Sequence, residues 1–285
     1  MNKIYSISPE LFTTANELGF TLNSFGFYKG RYLAQLPKNW LKMVYESTYH
    51  LPDVEKKRIN SILNKKKNSL LKLSLPYESS KSWLDNSIEL LQNNQLDGVI
   101  TNQPIESESI FTVADIIDGN LPSTSGIQIS STSKNIIKQM EVILKSSQEV
   151  YLVDPYLSLG SKKYTTFLSD LIKHPDVKDT TFRIFSKKQH FDTKESFESL
   201  CNRHLRDGLI QGCELCFYPI EDAKDMHGRY IFSIHGGLKY DKGFQVDNET
   251  VVDIEVMTEK IHELYFDKYN SYIKSNDTSR CFPAT

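Results

Sequence analysis

Along the second half of the chain, apolar positions switch repeatedly between helical and strand spacing. "SKNIIKQMEVILKSS" repeats at three and four residues and predicts a helix, while "EVYLVDPYL" is a short continuous apolar run and predicts a buried strand. Helix, strand and helix are expected next at "YTTFLSDLIKH", "TFRIFSK" and "TKESFESLCNRHLRDGL". Strands follow at "CELCFYPI", "HGRYIFSI" and "TVVDIEVM", and an amphipathic helix at "TEKIHELYFDKYNSYI". Strands alternating with helices of this length predict an α/β sheet covered on both faces.

The first half has another texture. "PKNWLKMVYESTYHL" carries Trp40, Leu41, Val44 and Tyr45 at helical spacing. "PDVEKKRINSILNKKKNSLLKL" sets Ile59, Ile62, Leu63 and Leu70 on one face behind a Pro52–Asp53 start. "SSKSWLDNSIELLQNN" predicts a third helix, and only "LDGVITN" and "SIFTVADII" read as short strands or strand-like ends. A smaller, helix-rich α+β domain is therefore expected over residues 1–120. The Gly, Pro, Ser and Thr of "DGNLPSTSGIQISSTS" place a linker at 121–132. The second domain then runs over 133–285, with Ser133 or a neighbour capping its first helix.

Composition narrows the function classes. With 285 residues, 39% of them hydrophobic, the chain can bury one large core or two modest ones. A formal net charge of −2 excludes a globally basic nucleic-acid coat but leaves room for local basic patches. "MNKIYSISPELF" lacks the apolar core of a signal peptide, and no stretch is long enough to span a bilayer. Four cysteines do not make a disulfide framework. Cys213 and Cys216 sit in a strand pattern, where a redox pair normally opens a helix, and no second Cys/His pair completes a zinc finger. Structural thiols in a reducing cytoplasm are expected, with neither metal nor cofactor.

The candidate chemistry lies in "DMHGRYIFSIHGGLKYDKGF". His227 and Arg229 stand two apart at the start of a predicted strand. Ligands of open α/β sheets gather outside the carboxyl ends of the strands, and "VYLVDPYLS" ends its apolar run in Asp154, Pro155 and Tyr156. If the strand of Arg229 runs antiparallel to that of Asp154, then His227, Arg229, Asp154 and Tyr156 converge on a phosphate-sized site. The plainer reading is that His227 and Arg229 tie a sheet edge to carboxylates such as Asp225 or Asp154. Gly236 and Gly237 read as a hairpin turn, or as amides supporting the phosphate site.

The order of elements, "LVDPYL" and "HGRYIFS" resemble the phospholipase D superfamily. They are most similar to its divergent members, found in bacterial antiviral defence proteins and in the C-terminal domains of MIT-domain proteins. The likeness spans roughly residues 133 to 275 and implies a mixed β-sheet flanked by helices. In catalytic members the motif is H-x-K-x4-D, with a nucleophilic histidine and a phosphate-holding lysine. His227 matches the histidine, Arg229 replaces the lysine, and Ile234 stands where the aspartate belongs. Arginine binds phosphate through a planar fork, so the exchange with lysine is not neutral. No second H-x-K occurs: Phe191 and Asp192 follow His190, and His204 and Arg206 lie in a helix pattern. The resemblance thus implies recognition without catalysis, unless a dimer completes the site.

A second feature is "EKKRINSILNKKKN", where Lys57, Arg58, Lys65 and Lys72 fall away from Ile59 and Leu63 while Lys66 intrudes on the apolar side. Such a run is either a solvated helix face or a surface for phosphate backbones. Trp40, Tyr45 and Tyr49 nearby suit base stacking or a core. The stretch from Asp247 to Asp267 is acidic, so pairing with a second copy or a partner protein is also open. Three functions compete: a non-catalytic adaptor of a defence system touching nucleic acid or another phosphorylated ligand, a metal-independent phosphodiesterase or nuclease acting as a dimer, and an anionic-membrane binder. No helix with aromatic and basic faces supports the last.

Overall fold

The computed structural model describes residues 2–66, 70–103, 105–124, 126–191, 196–221, 226–275 and 279–283. The chain divides into two compact units, Met1–Ser125 and Gly126–Thr285.

The first unit runs β1 (Lys3–Ile7), α1 (Ala15–Asn23), β2 (Arg31–Ala34), α2 (Trp40–Ser47), α3 (Asp53–Lys66), β3 (Leu70–Leu71), α4 (Trp83–Gln92), β4 (Gly98–Ile100), β5 (Ile110–Phe111) and α5 (Val113–Ile117). The strands pair in the order β3-β2-β1-β4-β5, every pair parallel. This unit is therefore α/β, which corrects the expected helix-rich α+β domain. Its strands hold two to five residues. A strand so short and covered on both faces shows no alternation for the pattern to reveal. The expected helix through Leu70 is corrected too, because α3 ends at Lys66 and Leu70 opens β3.

Tyr5, Ile7, Leu18, Leu22, Trp40, Val44, Ile59 and Leu63 share one core. Trp40 is fully buried, and its Nε1 donates to the carbonyl of Ile7 at 2.7 Å, closing the carboxyl end of β1. The first turn of α1 is also taken, since Ala15 N donates to the Glu55 carboxylate at 2.8 Å. That hydrogen bond, seconded by Arg58, holds the Glu55 carboxyl below its ordinary range. The place where a doubly wound sheet receives an anion is thus filled by the protein's own indole and carboxylate.

The second unit runs β6 (Ile127–Ser131), α6 (Ser133–Ser146), β7 (Glu149–Val153), α7 (Lys162–Leu171), β8 (Thr181–Lys187), α8 (Phe197–His204), β9 (Glu214–Ile220), β10 (Arg229–Ser233), β11 (Gly236–Tyr240), β12 (Asp247–Val256), α9 (Glu259–Ser275) and β13 (Arg280–Phe282). The sheet order is β13-β9-β8-β7-β10-β11-β12-β6. β7, β8 and β9 are parallel, and every other pairing is antiparallel. The expected linker at 121–132 contains β6. Ile127, Ile129 and Ser131 turn inward at every second position, a signal masked by the serines around them. Thr132 caps α6 by accepting from Asn135 N.

One face of this sheet is an aromatic ladder. Tyr218, Phe185, Tyr151 and Phe232 stack across four neighbouring strands with ring centroids 4.9, 6.2 and 5.0 Å apart. From α9, Tyr265, Phe266, Tyr269 and Tyr272 cover it. Leu152, Ile184 and Ile231 are fully buried on the opposite face.

Two further expectations are corrected. Cys216 is disulfide-bonded to Cys281, 65 residues away. Antiparallel docking of β13 on β9 creates that neighbourhood, and no local spacing announces it. Cys201 and Cys213 are free thiols, and burial pushes each up to about 12. A reducing compartment loses the support that free thiols lent it. The hairpin turn is formed by Ile234 and His235, with Ser233 paired to Gly236. Gly237 serves close packing instead: a Cβ there would lie 2.4 Å from Phe232 Cβ and 2.6 Å from the Ile231 carbonyl. Among the described residues, no helix is long and apolar enough to cross a membrane.

Candidate functional site

Asp154 anchors the candidate site. It follows β7, and it is completely buried. Its Oδ1 accepts from Tyr156 N at 2.9 Å and from Tyr164 Oη at 3.4 Å, and its Oδ2 accepts from Phe244 N at 3.1 Å. Burial raises the carboxyl above its ordinary value, against the pull of those donors and of the Arg229 charge. One side chain thus pins two loops, the one carrying Tyr156 and the one joining β11 to β12. Gly243, with φ +79°, makes this closeness possible, since a Cβ there would lie 2.2 Å from Asp154 Oδ2.

β10 runs antiparallel to β7, with Tyr230 opposite Val153. One step further along this register sets Arg229 against Asp154. They form no direct ion pair: Arg229 Nη1 donates to the Asp241 carbonyl at 3.0 Å, and its Nε is buried without a hydrogen-bond partner. The guanidinium lies 5.1 Å from the centre of the Tyr156 ring, which is 47% exposed. Lys187 Nζ, at the carboxyl end of β8, lies 4.8 Å from the same ring. The ring of His190, just beyond, is 6.4 Å from it, and its Nε2 is buried and unpartnered. Burial, then the charge of Lys187, lower the His190 pKa.

Arg229, Asp154 and Tyr156 are thus brought together. His227 is exposed ahead of β10 and makes no hydrogen bond among the described residues. Ile234 is 66% exposed in the turn at the opposite end of β10, where no acidic substitute could serve His227. Gly236 and Gly237 share that far end, roughly 13 Å along the strand from Arg229, so they do not join the phosphate site. Asp225 and Asp192 lie outside the described residues.

Lys187 and His190 were not singled out from sequence. The signal was present, because Lys187 ends "TFRIFSK" just as Asp154 ends "VYLVD", at the same edge of the parallel strands. In the first unit, Lys57, Arg58, Lys65 and Lys72 are all exposed. Arg58 is bridged to Glu55 at 3.2 Å, and Lys72 lies past β3 rather than on the helix. Trp40 belongs to the core, while Tyr49 is 78% exposed under Lys56.

No protein-family model matches the chain, and no curated protein matches it. Among solved structures it is similar to TrmBL2, an archaeal chromatin protein described as showing a novel mode of DNA binding. The match covers 83% of this chain and 86% of that one, at 12% identity and a TM-score of 0.30. At that level it carries no argument about fold or function.

Proposed function

We propose that the second unit recognises a phosphorylated ligand, a nucleic-acid backbone foremost, without cleaving it. On the strength of its resemblance to divergent phospholipase D-like proteins, it would act as an adaptor in a multi-component defence system. The observation that carries this reading is the pair of cations, Arg229 and Lys187, gathered over Tyr156, with no carboxylate among the described residues bridged to either. Two cations beside the single buried carboxyl of Asp154, at the ligand edge of a sheet, suit an anion. Hydrolysis needs more. A nucleophilic histidine must be activated and oriented, and among the described residues His227 has no partner to do either.

The test is binding of labelled single- and double-stranded DNA and RNA across a salt series, with cleavage followed in magnesium and in EDTA. Arg229→Gln is expected to weaken binding about 10-fold or more and to reduce the slope of log affinity against log salt by about 1. Equal affinity and slope in the two proteins would remove the proposal. Cleavage that survives EDTA and disappears in His227→Ala would replace it with a metal-independent phosphodiesterase.

A further inference from the structure

At the opposite end of the parallel strands, a second cluster has a separate chemistry. Cys216 on β9 and Cys281 on β13 stand directly across from one another, so both sulfurs emerge on one face. Glu214 precedes Cys216 by two residues and shares that face. Its carboxylate and the two sulfurs lie within 4.8 Å of one another. Glu214 and Cys281 are half-buried and reachable from solvent, whereas Cys216 is buried in the core cluster that includes Tyr218 and Tyr269.

While the disulfide stands, the Glu214 carboxylate is the one charge of this cluster. Arg183 is in register with Cys216 on the neighbouring strand, yet its guanidinium is committed to Glu149 and to Tyr218 Oη. The Glu214 carboxylate has no ion pair and no hydrogen bond among the described residues. Reduction and deprotonation would set two thiolates beside that carboxylate, and charges so close repel one another strongly unless a cation stands between them.

The geometry points to a redox-gated site for a borderline-soft divalent ion of the zinc class, formed by Glu214, Cys216 and Cys281. Sulfur and carboxylate ligands suit such an ion, and three protein ligands leave its fourth position to water. Two electrons from a phosphine or a dithiol, with two protons, open the Cys216–Cys281 bond to a pair of thiols. The ion then displaces both thiol protons to solvent. The disulfide form lacks both thiolates and excludes the ion. β13 is therefore fastened to β9 covalently in one state and through the metal in the other.

The experiment uses the full chain reduced with a phosphine, freed of reductant without oxygen, and titrated with Co²⁺ as the spectroscopic stand-in for zinc. One equivalent is expected to produce a thiolate-to-cobalt band in the near ultraviolet that zinc displaces. The unreduced protein should give none. Cys281→Ser should abolish the band, and Glu214→Gln should weaken binding by at least the ~10-fold that loss of an outer-shell partner costs. If Cys281→Ser fails to fold, Glu214→Gln decides alone. No band in the reduced protein, an equal band without reduction, or undiminished binding in Glu214→Gln would each overturn the assignment.

Discussion

Asp154→Ala is expected to lower the unfolding free energy of the second unit by about 3 kcal/mol. The carboxylate accepts from two backbone N–H groups and one tyrosine hydroxyl, on two loops and α7. Alanine leaves the buried Phe244 amide and the part-buried Tyr156 amide without acceptors, at about 1–3 kcal/mol for a fully buried group and less for the other. Relief from burying the carboxylate itself offsets part of that cost. For a unit of this size the melting temperature should fall by roughly 6–12 °C. Asp154→Asn keeps the shape but turns an NH₂ toward one backbone donor, so it should fall between alanine and wild type. Denaturant melts of the three proteins provide the check. A loss under about 1 kcal/mol for alanine would show that the two loops are held by something other than Asp154.

The double charge reversal Lys187→Glu/Arg229→Glu should reduce affinity for a short single-stranded oligonucleotide by at least about 100-fold at low salt. Both cations approach one exposed ring, from β8 and from β10. Two contacts to one ligand should couple, so the double variant need not equal the sum of the single ones. A double variant that binds within about 3-fold of wild type would transfer any nucleic-acid affinity elsewhere, with Lys57, Lys65 and Lys72 the next candidates.

The legible part of this site was its scaffold. An apolar run that stops at Asp154 marks the carboxyl end of a buried strand, and an antiparallel partner starting at Arg229 then brings the two together. Lys187 was hidden because a lysine after a strand is too common to stand out, and only the parallel pairing of β7 and β8 sets it beside Tyr156. His227 and Ile234 are related through motif spacing, yet a five-residue strand places them at opposite ends of β10. In the first unit α2, α3, α4, β4 and β5 were legible, and β1 and β2 were hidden for a different reason. "KIYSI" and "RYLA" become strands through burial between helices, a tertiary effect that a short window does not contain. The Cys216–Cys281 pair depends in the same way on β13 returning to the sheet edge.

The position of β6 has a practical consequence for anyone cutting the chain. The textural break in the sequence suggests starting a fragment at Ser133. Such a fragment would discard Ile127–Ser131 and strip the neighbour from β12, a ten-residue strand whose outer edge β6 covers. Bare backbone donors and acceptors along that length would invite a second molecule to pair with them, so the fragment should self-associate on expression. Beginning at Gly126 leaves the five-residue β6, instead of the ten-residue β12, as the edge strand. Comparing the two fragments by size-exclusion chromatography would tell whether five residues that resemble a tether are what keep the domain from sticking to itself.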